Sequence, residues 1–337
     1  MKIFQRPYWL WAVWLCFWPV CANADYTQHP NAQVFIDRMV QEHRFEREPV
    51  LAILAEAKQQ QSILDAIARP AEKTKTWAEY RPIFLQPQRI DNGVQFWLDN
   101  QQALQRAERT YGVPAEYIVA IIGVETLYGK FTGKHRVIDA LSTLAFDYPP
   151  RSDFFRKELE QYFLLTREHN QDPLINKGSY AGAMGLGQFM PSSYREYAVD
   201  FSGDDWPDIW QNKADAIASV ANYLHRHGWQ AGQWVGVRAR PENKIVLDEP
   251  LSIAPPSLTV ADWQARGLQP VIAVDAASQA NSLALMGVLG TEYWLTFNNF
   301  YVITRYNHSA LYAMAVHQLA QAIYRQGFEK IQEKKPQ

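Results

Sequence analysis

Beyond residue 21 the sequence contains no cysteine; its two, Cys16 and Cys21, both lie near the N-terminus. A chain cut after that point carries no disulfide and no thiol chemistry. Charge of either sign is also in short supply, with 33 Lys and Arg against 35 Asp and Glu and a formal net charge of −2. That balance leaves no basic stripe of the kind that binds nucleic acid, so no nucleic-acid partner is expected. There is no low-complexity tract and no internal repeat. What the chain has in plenty is aromatic surface, with 12 Trp and 17 Tyr. Such side chains suit stacking on flat or carbohydrate-like ligands, and cores use them too.

The first 24 residues read as a targeting segment. MKIFQRP carries Lys2 and Arg6, YWLWAVWLCFWPV is a short apolar stretch, and Ala22 and Ala24 form an A-x-A cleavage signal before Asp25. The apolar stretch is shorter than the roughly 20 residues of a membrane-spanning helix. Cleavage after Ala24 removes two positive charges and takes the formal charge from −2 to −4. The expectation is an exported, periplasmic protein. The alternative is an outer-membrane lipoprotein acylated at Cys21, although Trp18-Pro19-Val20 fits a lipoprotein signal poorly.

Past the leader the pattern is helical, and the fold class expected is mainly α with a small β-rich insertion. Phe35 pairs with Met39 and Ile36 with Val40 at helical spacing. REPVLAILAEAKQQQSILDAI continues as one run until Arg69-Pro70, and a longer run from 91 to 110 keeps Val94, Trp97, Leu98 and Leu104 on one side. Residues 236–297, with their proline clusters and the short runs KIVL and YWLTF, read as the β-rich insertion. Leu311, Ala315, Leu319 and Ile323 mark a last helix that Gly327 would end. The expected division is a signal peptide at 1–24, helical region and catalytic core at 25–235, insertion at 236–297, and a C-terminal helical segment at 298–337.

Two features carry chemistry. In VPAEYIVAIIGVETLYG, Ile118, Ile121 and Ile122 mark an apolar face, and one further pair of turns along it stands Glu125. A carboxylate on a buried stripe near the negative end of a helix is disfavoured as a charge, which suits a general acid; the competing reading is a structural ion pair. The second feature is YAGAMGLGQFMPSSY, with Gly182, Gly185 and Gly187 close together. Their order is G-x-x-G-x-G and DPLINKGSYA precedes them, so the dinucleotide fingerprint on a buried strand is absent. Glycine clearance beside Ser179 and Gln188 suits a polyhydroxylated, amide-bearing ligand better than a phosphate.

Other patterns say less. Ser179 lacks the preceding glycine of a nucleophile elbow. The HRH at 225–227 is read as a helix cap. DFSGDDWPDIW places Asp200, Ser202 and Asp204 at the first, third and fifth positions of a calcium loop. Asp205 stands where such a loop needs glycine, and Gln211 where it needs glutamate.

Taken in order, GVETLYG, KGSYAGAMGLGQFMPSSYREYAVDFSGD, ADAIASVANYL and NNFYVITRYNHSALYAMAV resemble the lytic murein transglycosylase B family, from about Tyr80 to Ile323. The resemblance implies a lysozyme-like helical core with a further helical region. It implies cleavage of the β-1,4 bond between N-acetylmuramic acid and N-acetylglucosamine, leaving a 1,6-anhydromuramoyl end without added water. Glu125 would be the single acid/base, with the muramoyl N-acetyl oxygen as the internal nucleophile. Ser179, Gln188, Tyr80, Tyr223, Tyr306, Asn307 and Tyr312 would line the cleft, and Arg151 would meet a lactyl or peptide carboxylate. Pro150 stands where relatives often carry a second arginine. No cofactor is required, while a structural calcium at Asp200, Ser202, Asp204 and Asp215 is suggested by the resemblance and weakened by Asp205. Glycan strands would be the partner, together with wall-building or wall-remodelling proteins, and the enzyme would be a monomer. A hydrolytic muramidase and a non-catalytic peptidoglycan-binding scaffold are the competing functions.

Overall fold

Apolar residues three and four apart build most of this protein, and the computed structural model describes residues 26–68, 75–242 and 251–333. The leader and its cleavage signal, Cys21, the Arg69-Pro70 break and the KIVL run lie outside the described residues. Helices α1 (Pro30–His43), α2 (Arg47–Glu56) and α3 (Gln61–Ile67) come first, followed by α4 (Trp77–Phe84), α5 (Pro87–Asp99) and α6 (Gln101–Tyr111). Then come α7 (Ala115–Thr126), strand β1 (His135–Arg136), α8 (Val137–Asp147), α9 (Ser152–Glu168) and β2 (Lys177–Gly178). Two more helices, α10 (Pro191–Tyr197) and α11 (Lys213–Arg226), precede the sheet.

Two long sequence runs are each broken into two helices. REPVLAILAEAKQQQSILDAI splits between α2 and α3, because KQQQ offers no apolar residue to a core. There the Lys58 N–H donates to Asp139 Oδ1 at 2.9 Å and the Gln60 N–H to Thr143 Oγ1 at 3.1 Å. The 91–110 run breaks at Asn100, whose amide donates to the Phe96 carbonyl at 2.7 Å. A short polar side chain bonding its own backbone ends the ladder.

The sheet comprises β3 (Gly236–Pro241), β4 (Leu258–Thr259), β5 (Leu268–Pro270), β6 (Gln279–Gly287) and β7 (Gly290–Thr296), with α12 (Val260–Ala265) after β4. Its strand order is β4-β6-β7-β3-β5, antiparallel throughout. Side chains alternate between its faces. Ala280 joins a small core with Val237, Val260, Trp263 and Leu295, while Leu283 and Leu285 join the main helical core.

Helices α13 (Asn298–Tyr306) and α14 (Ala310–Glu333) complete the chain. Leu311, Ala315, Leu319 and Ile323 are all buried, as their spacing requires. Gly327 does not end α14: the helix runs six residues further, and Gly327 faces Trp97 and Val94 of α5. Helix α7 lies at the centre, packed against α5, α11 and α14.

Candidate active site

Glu125 is the penultimate residue of α7, a helix otherwise buried nearly all round. The backbone behind it is unusual. Leu127 and Tyr128 both have positive φ (51° and 62°) and Gly129 follows at 89°. Two consecutive non-glycine residues in that region are costly, by about 1–3 kcal/mol each, and persist only when packing fixes them. The packing is supplied by Tyr128, whose hydroxyl donates to the Arg89 carbonyl at 2.9 Å. Its ring fills space that only Gly93 and Gly123 leave open, since a Cβ at Gly123 would come within 2.6 Å of it. Arg89 in turn donates to the Gly123 carbonyl, tying off the end of the helix.

The glycine segment is joined to that helix end. The Thr126 hydroxyl lies 3.0 Å from the Leu186 carbonyl, and the Tyr306 hydroxyl donates to the Gly187 carbonyl at 2.6 Å. Glu125 itself accepts a hydrogen bond from the Tyr312 hydroxyl, 2.6 Å from Oε1. Tyr312 is 2% exposed. Burial first, and then the nearby Glu125 carboxylate, hold its hydroxyl well above the ordinary tyrosine pKa, as they do that of Tyr306. Both tyrosines therefore stay protonated donors at any physiological pH.

The structure corrects the role expected of the glycines. They do not clear room for a ligand. A Cβ on Gly182 would meet Leu141, one on Gly185 would meet the Ile209 carbonyl at 2.5 Å, and one on Gly187 would meet the Tyr306 hydroxyl at 2.8 Å. The segment is close-packed against the protein's own core, which fixes its polar groups rigidly.

Two depressions flank this strip. One, of about 440 Å³, is lined by Ser179, Gln188, Tyr180 and Phe131 among others. The Gln188 amide donates to the Thr132 and Gly185 carbonyls, and Ser179 Oγ accepts the Ala181 and Ala183 N–H groups. The other, of about 680 Å³, is lined by Arg151, Tyr223, Tyr306, Asn307, His308 and Glu158, among others. Arg151 lies over the Phe154 ring at 4.5 Å, and Tyr223 and Tyr306 pack edge to face at 4.7 Å. Tyr80, by contrast, is buried against Phe84, with its ring 5.0 Å away.

Among the residues of these depressions that were not singled out from the sequence, three bear on the chemistry. Phe131 and Tyr180 are exposed aromatics, and Tyr180 sits inside the quoted glycine motif beside Ser179. Glu158 is the carboxylate that lines the larger depression, and no pattern marked it because its partner is 34 residues away: Ser192 donates to both its oxygens, through N–H at 2.9 Å and hydroxyl at 2.7 Å. Burial pushes its pKa up while those donors pull it down.

The acidic loop forms a separate site. Asp200, Asp204 and Asp215 each bring a carboxylate oxygen to within 4.8 Å of the others. Asp200 accepts the N–H groups of Gly203 and Asp205 and the Ser202 hydroxyl, and Asp215 those of Phe201, Ser202 and Asp208. Asp205 makes the sharp turn itself, at φ 69°. The HRH histidines bond backbone: His225 lies against the Tyr111 carbonyl and His227 against that of Tyr223.

The transglycosylase SLT domain family matches residues 27–321. The chain belongs to that family. The transglycosylase is 45% identical over 310 residues to the membrane-bound lytic murein transglycosylase B of Escherichia coli K12, covering 89% of this chain and 84% of that protein. The catenated lytic transglycosylase SltB1 of Pseudomonas aeruginosa is 50% identical, with TM-score 0.85 over 90% of this chain and all of that one. The lytic transglycosylase Slt35 of E. coli, solved in complex with calcium, is 45% identical, with TM-score 0.83 over 91% of this chain and 96% of that one. The transglycosylase is thus an enzyme of peptidoglycan glycosidic-bond cleavage, on a lysozyme-like fold.

Proposed function

We propose that Glu125 performs both proton transfers of a non-hydrolytic cleavage. Glu125 gives its proton to the glycosidic oxygen as that bond breaks, while the muramoyl N-acetyl oxygen attacks C1 from the same substrate. The carboxylate then takes the proton of the C6 hydroxyl as its oxygen displaces the N-acetyl group, giving the 1,6-anhydro ring and restoring the acid. Nothing is added or lost, and no second carboxylate is needed.

The observation that carries this reading is the 2.6 Å hydrogen bond from buried Tyr312 to Glu125 Oε1. A donor held well above its ordinary pKa fixes one oxygen of the carboxyl group without competing with it as an acid. Glu158, the acid lining the larger depression, has both oxygens taken by Ser192 at the start of α10 and is assigned a structural role. Muropeptide release from sacculi separates the two. Glu125→Gln should abolish it, and Glu158→Gln should lower stability while leaving readily measured release. The opposite pattern would move the acid to Glu158.

Ser179 and Gln188 would meet the sugar N-acetyl and hydroxyl groups in the smaller depression. Tyr223, Tyr306, Asn307 and Arg151 would hold the glycan and its carboxylates in the larger one. Tyr80 and Tyr312 would act from beneath, by positioning. The division into a helical catalytic region, a 236–297 insertion and a helical C-terminus belongs to the same proposal, as do export to the periplasm and the glycan strand as partner. Among the described residues no helix is long and apolar enough to cross a membrane.

A calcium ion fits the acidic loop by its chemistry, which offers three hard carboxylate oxygens with the Ser202 hydroxyl beside them. We assign it to Asp200, Asp204 and Asp215, where it would neutralise crowded charge and brace the approach to α11. The reaction has no step through it.

A further inference from the structure

The β6–β7 hairpin closes on a two-residue turn, with Gly287 paired to Gly290 and Val288-Leu289 between them. The positive φ of this turn falls on Gly290, at 112°, so its two central positions accept most residue types and do not call for aliphatic ones. Here two aliphatic side chains stand in solvent, Val288 at 82% and Leu289 at 102% exposure, with Met286 at 65% on the strand before them. Turn chemistry gives no reason for them, and an apolar projection of this kind marks a surface that meets something.

The neighbouring surface has a definite chemistry. Behind the turn lies a groove of about 710 Å³ between the hairpin, α4 and α14. Three arginines line it, Arg81, Arg238 and Arg325, against one acid, Glu292, which is already paired with Arg238 at 2.7 Å. A second depression, sharing Gln321 and Arg325 with the first, is edged by Trp234 and Tyr324. Both are about half exposed, as is Phe328, whose ring stacks on Tyr324. An aliphatic turn, half-exposed Trp and Tyr, and arginines lining the adjoining groove are the composition of a surface that sits in the headgroup layer of a bilayer.

We propose that this face docks the enzyme onto an anionic phospholipid bilayer, with Val288 and Leu289 inserted among the acyl chains and Arg81 and Arg325 meeting lipid phosphates in the groove. Protein interfaces also use Trp, Tyr and Arg. The apolar atoms here, however, project on a turn instead of forming a flat patch, which suits a deformable partner. Arg325 lies thirteen residues along α14 from Tyr312, about 20 Å at the rise of an α-helix. Docking would therefore hold the Glu125 cleft clear of the lipid, within reach of the wall. This inference is independent of which residue is the acid.

Sedimentation with lipid vesicles tests it, using the exported protein carrying Cys21→Ser so that no acyl chain can contribute. Wild-type sequence at the hairpin should bind vesicles containing phosphatidylglycerol, and binding to phosphatidylcholine vesicles should be weaker. Val288→Asp with Leu289→Asp should lower binding at least about tenfold, with unchanged melting temperature and unchanged cleavage of soluble glycan fragments. Arg325→Glu should remove the preference for anionic lipid. Absence of vesicle binding by the wild-type hairpin, or equal binding by the double Asp variant, overturns the proposal. So does self-association in the ultracentrifuge that the same double variant abolishes with no lipid effect, which would make the face a protein interface.

Discussion

Glu125 depends on the groups that fix it more than on its own exposure. Tyr312 donates to it from a fully buried position, and a hydrogen bond to a charged group contributes about 1.5–3 kcal/mol. Tyr312→Phe should therefore cut kcat/KM by about 10- to 100-fold in steady-state assays on glycan fragments; a loss below about twofold would remove Tyr312 from the positioning of the acid. Glu116, at the other end of α7, behaves differently. Burial first, and the Glu108 charge after it, raise its pKa from 4.5 to about 7. A folded-state pKa above the unfolded value contributes stability present below the unfolded pKa and lost as pH rises through the folded one. Glu116→Gln should thus stabilise the enzyme by about 1–3 kcal/mol at pH 8 and much less at pH 4.5, read from urea unfolding at the two pH values. The proposed acid, Glu125, stands out in the sequence as a carboxylate on a helix's apolar face. Tyr312 was found through resemblance alone, because its contact with Glu125 spans 187 residues.

At the scale of elements, the glycine segment works through its fit. Gly187→Ala would set a methyl 2.8 Å from the Tyr306 hydroxyl and 3.0 Å from Val220. The expected result is a loss of about 1–3 kcal/mol of stability with a fall in activity, measured by thermal unfolding and turnover on sacculi. Unchanged values for both would show that the strip has slack. The sequence displayed these glycines plainly, yet their reason lies in Leu141 of α8, Ile209 of the loop before α11 and Tyr306 of α13. Helix breaks at 57–60 and Asn100 were hidden in the same way: apolar spacing continued across them, and backbone groups captured by side chains decided the matter. The acidic loop offers a further element-level test. Calcium should raise the melting temperature and a chelator reverse it, as expected when a ligand binds the folded state alone. Asp204→Ala should abolish the shift, whereas Asp205→Gly should keep it, since Asp205 already adopts the φ of 69° that the turn needs.

For the whole molecule, helices α7, α13 and α14 bring together residues from 123 to 312, with the sheet standing between α11 and α13 in sequence. The mainly helical class with a β-rich segment followed from spacing and proline clusters. The meeting of α7 with α14, which makes the site, did not, because pairwise helix packing leaves no periodic mark. The central claim is that one carboxylate cleaves the glycan without water. Mass spectrometry of muropeptides from sacculi digested by wild type and by Glu125→Gln tests it most directly. The account predicts anhydro products, lighter by one water than their hydrolysed counterparts, from the wild type and no release from the variant. Reducing-end products from the wild type, or anhydro products from Glu125→Gln, would contradict it.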